Sequence, residues 1–103
     1  MNITILGAGE VGKQLAWTLS TQRNSVAVVD QSPELLARIS ERLDVLTVQG
    51  DCANVSVLRR ANVGRAELLI AVTGSDASNA LACRVAKESG VKRTICRLSS
   101  RNF

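Results

Sequence analysis

Six residues near the start of the chain, Gly7-Ala8-Gly9-Glu10-Val11-Gly12, restrict what the backbone around them can do. Before them runs Asn2 to Leu6 (NITIL), a short aliphatic segment of strand character. After them, Val11, Leu15, Ala16 and Leu19 recur at helical spacing up to Thr21. A strand that turns straight into a helix needs a residue free to make a tight turn, the place of Gly7. It also needs a residue without a side chain where helix and strand pack closely, the place of Gly12. Gly9 has a third role: without a Cβ, its main chain can be approached closely by a ligand. The N–H groups that open the helix, near Glu10 and Val11, then face outward with the positive end of the helix dipole. That arrangement attracts a pyrophosphate.

The glycine pattern alone is common, so its context matters. Ser25 to Asp30 (SVAVVD) is a second aliphatic run, and it ends in an acid 18 residues after Gly12. An acid at that place accepts hydrogen bonds from the hydroxyls of an adenosine ribose. It would repel a 2′-phosphate, which favours NAD(H) over NADP(H). Ser32-Pro33-Glu34 reads as a helix start with Ser as N-cap and Pro first inside. Leu35, Leu36 and Ile39 supply that helix's apolar stripe, and it ends near Arg42. Asp44 to Gln49 is a third strand and Asn54 to Ala61 a short helix with Val57 and Leu58 inward. Glu67 to Val72 is a fourth strand, and Ser75 or Asp76 caps a helix running to about Glu88, with Ala80, Leu81, Cys83 and Val85 among its apolar positions. Arg93 to Leu98 is a fifth strand.

Strict alternation of strand and helix at this spacing gives parallel βαβ units with right-handed crossovers. The expected fold is α/β: a Rossmann-type doubly wound parallel sheet, strand order 3-2-1-4-5, in three αβα layers, cut off after the fifth or sixth strand. With 103 residues, the chain is one domain, residues 1–103, expected to be the N-terminal part of a longer subunit. Aromatic residues are 2% of the chain, so the core must be aliphatic, as in strands buried on both faces.

Several function classes are disfavoured. No apolar run approaches the roughly 18 residues of a membrane span. Three widely spaced cysteines, Cys52, Cys83 and Cys96, and no histidine make a poor zinc set. They read as reduced thiols. The net charge of +4 includes the pairs Arg59-Arg60 and Lys92-Arg93. With no aromatic platform and no basic helix, this charge reads as solvated surface and not as a nucleic-acid face. There is no tyrosine either, and Lys13 sits on the first helix as a surface residue, so no catalytic set assembles.

Ligands of open α/β sheets lie over the carboxyl ends of the strands. Those ends here carry Asp51 with Cys52, Thr73 with Gly74, and Arg97. Asp51 either lies beside an adenine or caps the helix at Asn54. Thr73 and Gly74 either touch the ribose and pyrophosphate or form an ordinary turn. Arg97 either pairs with phosphate or is a solvated end-of-strand charge.

The stretch from Asn2 to Gly12 resembles the nucleotide-binding domain of the regulatory subunit of Trk potassium-uptake systems, the RCK or KTN type. Three further segments are similar: Val28-Val29-Asp30 with Pro33-Glu34; Gly50-Asp51-Cys52; and Ala71-Val72-Thr73 with Asp76 and Asn79. The resemblance covers essentially the whole chain. It implies a cytoplasmic subunit, peripheral on the inner face of the membrane, partnered by a membrane potassium-transport subunit. It implies NAD(H) as ligand, with ATP or ADP in the same cleft, and homo-oligomers: dimers assembled into a tetrameric ring. Nucleotide identity would then gate transport through a conformational change, without catalysis. By position, Gly7, Ala8, Gly9, Glu10, Val11 and Gly12 would hold phosphates, Asp30 the ribose, and Asp51 and Cys52 the adenine. Thr73 and Gly74 would lie near ribose and pyrophosphate, and Arg97 would reach phosphate. The chain departs from the family at Ala77, where a second acid often follows the aspartate. The other reading is the NAD-binding half of a small dehydrogenase lacking its substrate domain.

Overall fold

Each aliphatic run forms a strand and each stretch of helical spacing a helix. The computed structural model describes residues 1–99; residues 100–103 lie outside the described residues. The elements are β1 (Asn2–Leu6), α1 (Glu10–Ser20), β2 (Ser25–Asp30), α2 (Pro33–Ser40), β3 (Leu46–Gln49), α3 (Val55–Arg60), β4 (Leu68–Ala71), α4 (Asp76–Glu88) and β5 (Arg93–Cys96). A single 3-10 turn, Val63–Arg65, precedes β4. The five strands form one parallel sheet in the order β3-β2-β1-β4-β5. No helix among the described residues is long and apolar enough to cross a membrane.

Alternation along the strands sends successive side chains to opposite faces of the sheet. Ile3, Ile5, Val26, Val28 and Ile70 pack on one face under Ala16, Leu36 and Ile39 of α1 and α2. Leu6, Val29, Val48, Leu69 and Ala71 pack on the other under Leu58 of α3 and Ala82, Cys83 and Ala86 of α4. This is the three-layer αβα arrangement that buries parallel strands on both sides.

Capping follows side-chain chemistry. Ser32 accepts from the Leu35 N–H at 3.3 Å, Asn54 from the Val57 N–H at 3.2 Å and Ser75 from the Ser78 N–H at 3.1 Å. Of the two residues proposed to cap α4, Ser75 does it. Asp76 instead accepts from the Ser99 N–H at 3.0 Å, tying the chain after β5 back to the helix.

The elements differ from the sequence expectations in detail. β3 begins at Leu46 rather than Asp44, and β5 ends at Cys96 rather than Leu98. The buried stripe of α4 is Asn79, Ala82, Cys83 and Ala86, while Leu81 is 52% exposed. At 100° per residue, position 81 cannot share a face with 79, 82 and 86. Val11, expected on one face of α1 with Leu15, Ala16 and Leu19, is exposed; the buried positions of that helix are Gly12 and Ala16.

The strand-to-helix junction depends on two missing side chains. Gly7 has φ +111°, and a Cβ there would lie 2.8 Å from the Val72 carbonyl oxygen. A Cβ on Gly12 would overlap the carbonyl oxygen of Gly7. Replacing Gly12 with alanine should therefore push α1 off β1 and lower stability by about 3 kcal/mol, the upper range for overpacking. Urea midpoints of the two proteins check this; an unchanged midpoint would mean the junction is loose.

Candidate functional site

The sheet order reverses between β1 and β4, and the loops leaving their carboxyl ends diverge there, which is where an open α/β sheet offers a crevice. The glycine loop lies on one side. Its ends are fixed by the sheet: the Gly7 N–H donates to the Val29 carbonyl at 2.8 Å, and the Val72 N–H to the Leu6 carbonyl at 2.8 Å. Gly9, the N-cap of α1, has φ −72°, and nothing lies within 4 Å of a Cβ built there. Gly7 and Gly12 are thus needed for packing. Gly9 faces open space and has no packing reason to be glycine.

Asp30 joins this loop to the next. One carboxylate oxygen accepts from the Ala8 N–H at 2.8 Å, the other from the Ser32 N–H at 2.8 Å. Asp30 is not the cap of α2, which is Ser32. Each of its oxygens keeps lone pairs for further donors. Beside it a hollow of about 230 Å³ is lined by Asp30, Gln31, Asp51, Cys52, Thr73, Gly74, Ser75 and Ser78.

Five of the sequence-derived candidates, Asp30, Asp51, Cys52, Thr73 and Gly74, thus meet in one hollow next to the glycine loop. Asp51 accepts from the Ala53 N–H at 2.8 Å and closes a tight turn; it is not the cap of α3, because Asn54 does that itself. Cys52 is buried, its Sγ 3.6 Å from the Val29 carbonyl oxygen, and forms the floor of the hollow. Burial, with Asp30 and Asp51 nearby, pushes its thiol up to about 11, so it stays neutral. The Glu10 side chain turns away to pair with Lys13 Nζ at 3.1 Å, and both are largely exposed. Arg97 is exposed and does not line the hollow.

Thr73 and Gly74 do form a turn, and that turn is also a wall of the hollow. Its organiser is Asn79, fully buried on α4. Asn79 Oδ1 accepts from the Thr73 N–H at 2.9 Å and the Thr73 hydroxyl at 2.6 Å. Its Nδ2 donates to the Thr73 carbonyl at 3.2 Å and the Arg97 carbonyl at 3.0 Å. One amide therefore locks the end of β4 to the end of β5. Sequence reasoning placed Asn79 in a matching segment but assigned it no role.

Two larger hollows lie elsewhere. One of about 580 Å³ sits at the amino ends of the strands, around Asn2, Ser25, Asp44 and Arg65. One of about 500 Å³ lies between α1 and α2, around Trp17, Arg38 and Leu43. The smaller hollow is the one at the carboxyl ends of the strands, and its Asp30 holds the glycine loop through the Ala8 N–H; size alone does not outweigh that placement.

The family model of the TrkA-N domain matches residues 3–103. A Trk system potassium uptake protein TrkA homolog from Archaeoglobus fulgidus is 41% identical over the whole chain, which covers 23% of that protein. The Trk system potassium uptake protein TrkA of Halomonas elongata is 45% identical over 84% of the chain and 19% of its own length. The chain thus spans about a fifth to a quarter of these relatives. Among solved structures, the Shewanella denitrificans Kef CTD in AMP-bound form superposes with a TM-score of 0.76 at 22% identity, over 92% of this chain and 57% of that one. The TrkA-N domain of the inner membrane protein ybaL from Escherichia coli gives 0.65 at 19% identity, over 92% and 86%. A short-chain dehydrogenase/reductase from Veillonella parvula in complex with NADP gives 0.72 at 23% identity, over 90% and 45%.

Two outcomes are expected from this geometry. Asn79→Ala removes a fully buried amide and its bonds to Thr73 and the Arg97 carbonyl, and should cost about 3 kcal/mol, read from denaturant unfolding. The Cys52 thiol ionises near 9 when unfolded and near 11 when folded. Its contribution is whole below the lower value and is lost as pH rises through the higher one. Stability should fall between about pH 9 and pH 11, and less steeply in Cys52→Ala; parallel curves for the two proteins would contradict this.

Proposed function

We propose, for a chain that belongs to the TrkA-N domain family, that the loop at residues 7–12 and the hollow beside it bind an adenine nucleotide. NAD(H) is the first ligand, with ATP or ADP accepted in the same cleft. The carrying observation is the contrast within the loop: Gly7 and Gly12 are packed against backbone, whereas Gly9 opens onto space at the amino end of α1. A pyrophosphate laid against Gly9 would meet main-chain donors and the helix dipole without meeting a side chain. Glu10 and Val11 would take part through their main-chain N–H groups, while the Ala8 N–H is held by Asp30 and fixes the loop.

Charge would orient the ligand. Asp30 and Asp51 both line the hollow and repel phosphate, so phosphates go to the loop and the ribose and base to the hollow. The ribose hydroxyls would donate to the Asp30 oxygens, and the adenine would lie over Asp51 and the Cys52 floor. Thr73 and Gly74 would close the opposite wall. Arg97 would reach a phosphate by swinging in from its exposed position. At about 230 Å³ the hollow is below the 300–1,000 Å³ usual for a complete ligand site, and it suits the adenosine end alone. The rest of a dinucleotide would extend along the loop.

The module would act by binding and not by chemistry, since the chain has no histidine or tyrosine to move a proton. Within a longer cytoplasmic subunit, assembled as dimers and a tetrameric ring under a membrane potassium transporter, the nucleotide would favour one shape of the ring. It can do so only to the extent that its affinity differs between the two shapes.

Calorimetric titration with NADH, NAD, ATP and ADP tests the site. Gly9→Val should abolish binding while changing stability by no more than about 1 kcal/mol, because its Cβ meets nothing. Asp30→Ala should weaken NADH by about 1–3 kcal/mol. Full affinity in Gly9→Val would place the ligand elsewhere.

A further inference from the structure

Helix α4 and strand β5 run past each other, stitched at successive turns of the helix. Asp76 holds Ser99, Asn79 holds the Arg97 carbonyl, and the Cys83 thiol donates to the Ile95 carbonyl at 3.7 Å. Ile95 immediately precedes Cys96. The Cys96 side chain packs against the same apolar cluster that contains Cys83, near enough to help hold the Cys83 thiol up. Ile95, one residue away, points to the opposite face and is 54% exposed. The strand's alternation therefore aims Cys96 at the helix. Cys96 is half-buried and Cys83 buried, so a reagent in solvent meets Cys96 first. The third cysteine, Cys52, belongs to the floor of the hollow after β3.

From this juxtaposition we infer that Cys83 and Cys96 are a dithiol that closes to an intramolecular disulfide in the presence of a low-molecular-weight disulfide. The exchange balances in two steps. The Cys96 thiolate attacks one sulfur of the small disulfide, forming a mixed disulfide and releasing one small thiol. The Cys83 thiolate then attacks the Cys96 sulfur, forming the Cys83–Cys96 bond and releasing the second small thiol. Two electrons pass from the protein to the reagent, and two protons leave the cysteines for the released thiols. Because the same helix and strand are already joined on both sides of the pair, the bond asks for little movement of backbone. It closes a short loop and braces the wall that Asn79 holds, while leaving the glycine loop untouched. Disulfides of this kind in reducing compartments are transient and redox-sensing. The inference stands whether or not the cleft binds nucleotide.

Treating the native chain with hydroxyethyl disulfide tests it. The intact mass should fall by two hydrogen atoms. Trypsin should then release the peptide from Ala66 to Arg84 linked to the peptide from Thr94 to Arg97, with Cys52 still free. Dithiothreitol should restore the starting mass. Cys83→Ser should stop at the mixed disulfide on Cys96, and the oxidised wild-type chain should melt at a higher temperature than the reduced one. Burial pushes the Cys83 thiol up to about 11, so the closing step should speed up roughly tenfold per pH unit below that value. A stable adduct on Cys96 beside a free Cys83, a bond through Cys52, or no reaction in the folded chain would each overturn the assignment.

Discussion

The structure depends on the contact of α1 with the carbonyl of Gly7. Helix and strand meet there with no side chain between them, and any Cβ at Gly12 would occupy the oxygen's place. The contact sets where α1 begins, and so where its free N–H groups point. It also sets the exit of β1, because Gly7 is held to β2 through Val29 and Leu6 to β4 through Val72. Buried main-chain groups are therefore satisfied by the neighbouring strands, and those at the helix start remain available outward. A loop fixed at both ends and open at Gly9 is preorganised: a ligand would bind it without ordering it first.

Asp30 shows structure and site sharing one group. Its two oxygens brace the glycine loop through Ala8 and the next turn through Ser32. The carboxylate is consequently held in place by the fold itself, at the hollow that it lines, with lone pairs left for further donors. Beneath it, Cys52 remains neutral because burial and the adjacent acids oppose a third negative charge. The hollow is thus anionic at its rim and apolar at its floor, while the loop beside it is positive by dipole. That gradient, more than any single contact, would decide which end of a nucleotide goes where.

The elements, their order and the glycine junction were legible in the sequence because each rests on local patterning. Aliphatic runs of five or six residues separated by helical spacing leave few alternatives, and Ser32 with Pro33 identifies its helix start without ambiguity. The ends of β3 and β5 were less legible. Asp44 and Leu98 continue the alternation in sequence, but strand pairing stops at Leu46 and Cys96. Leu81 was misread because an apolar residue carries no mark of the face it occupies. Asn79 was hidden for the opposite reason. A polar residue on a helix reads as surface, and only the tertiary placement of the Thr73 and Arg97 carbonyls shows that this amide is fully buried with all its bonds made. Asp51 was open to two readings, beside an adenine or as a cap; the cap is Asn54, and Asp51 closes a turn at the wall of the hollow.

An AMP-bound Kef domain and an NADP-bound reductase share this fold at similar superposition, so the architecture by itself does not separate regulation from chemistry. The difference must lie in what faces the loop across the crevice. In this chain that wall is the Thr73–Gly74 turn, whose position is imposed by Asn79 and hence by the packing of α4 on β5. That amide also ties the turn to the end of β5. A nucleotide seated against that wall would therefore press on a turn tied through Asn79 to both α4 and β5.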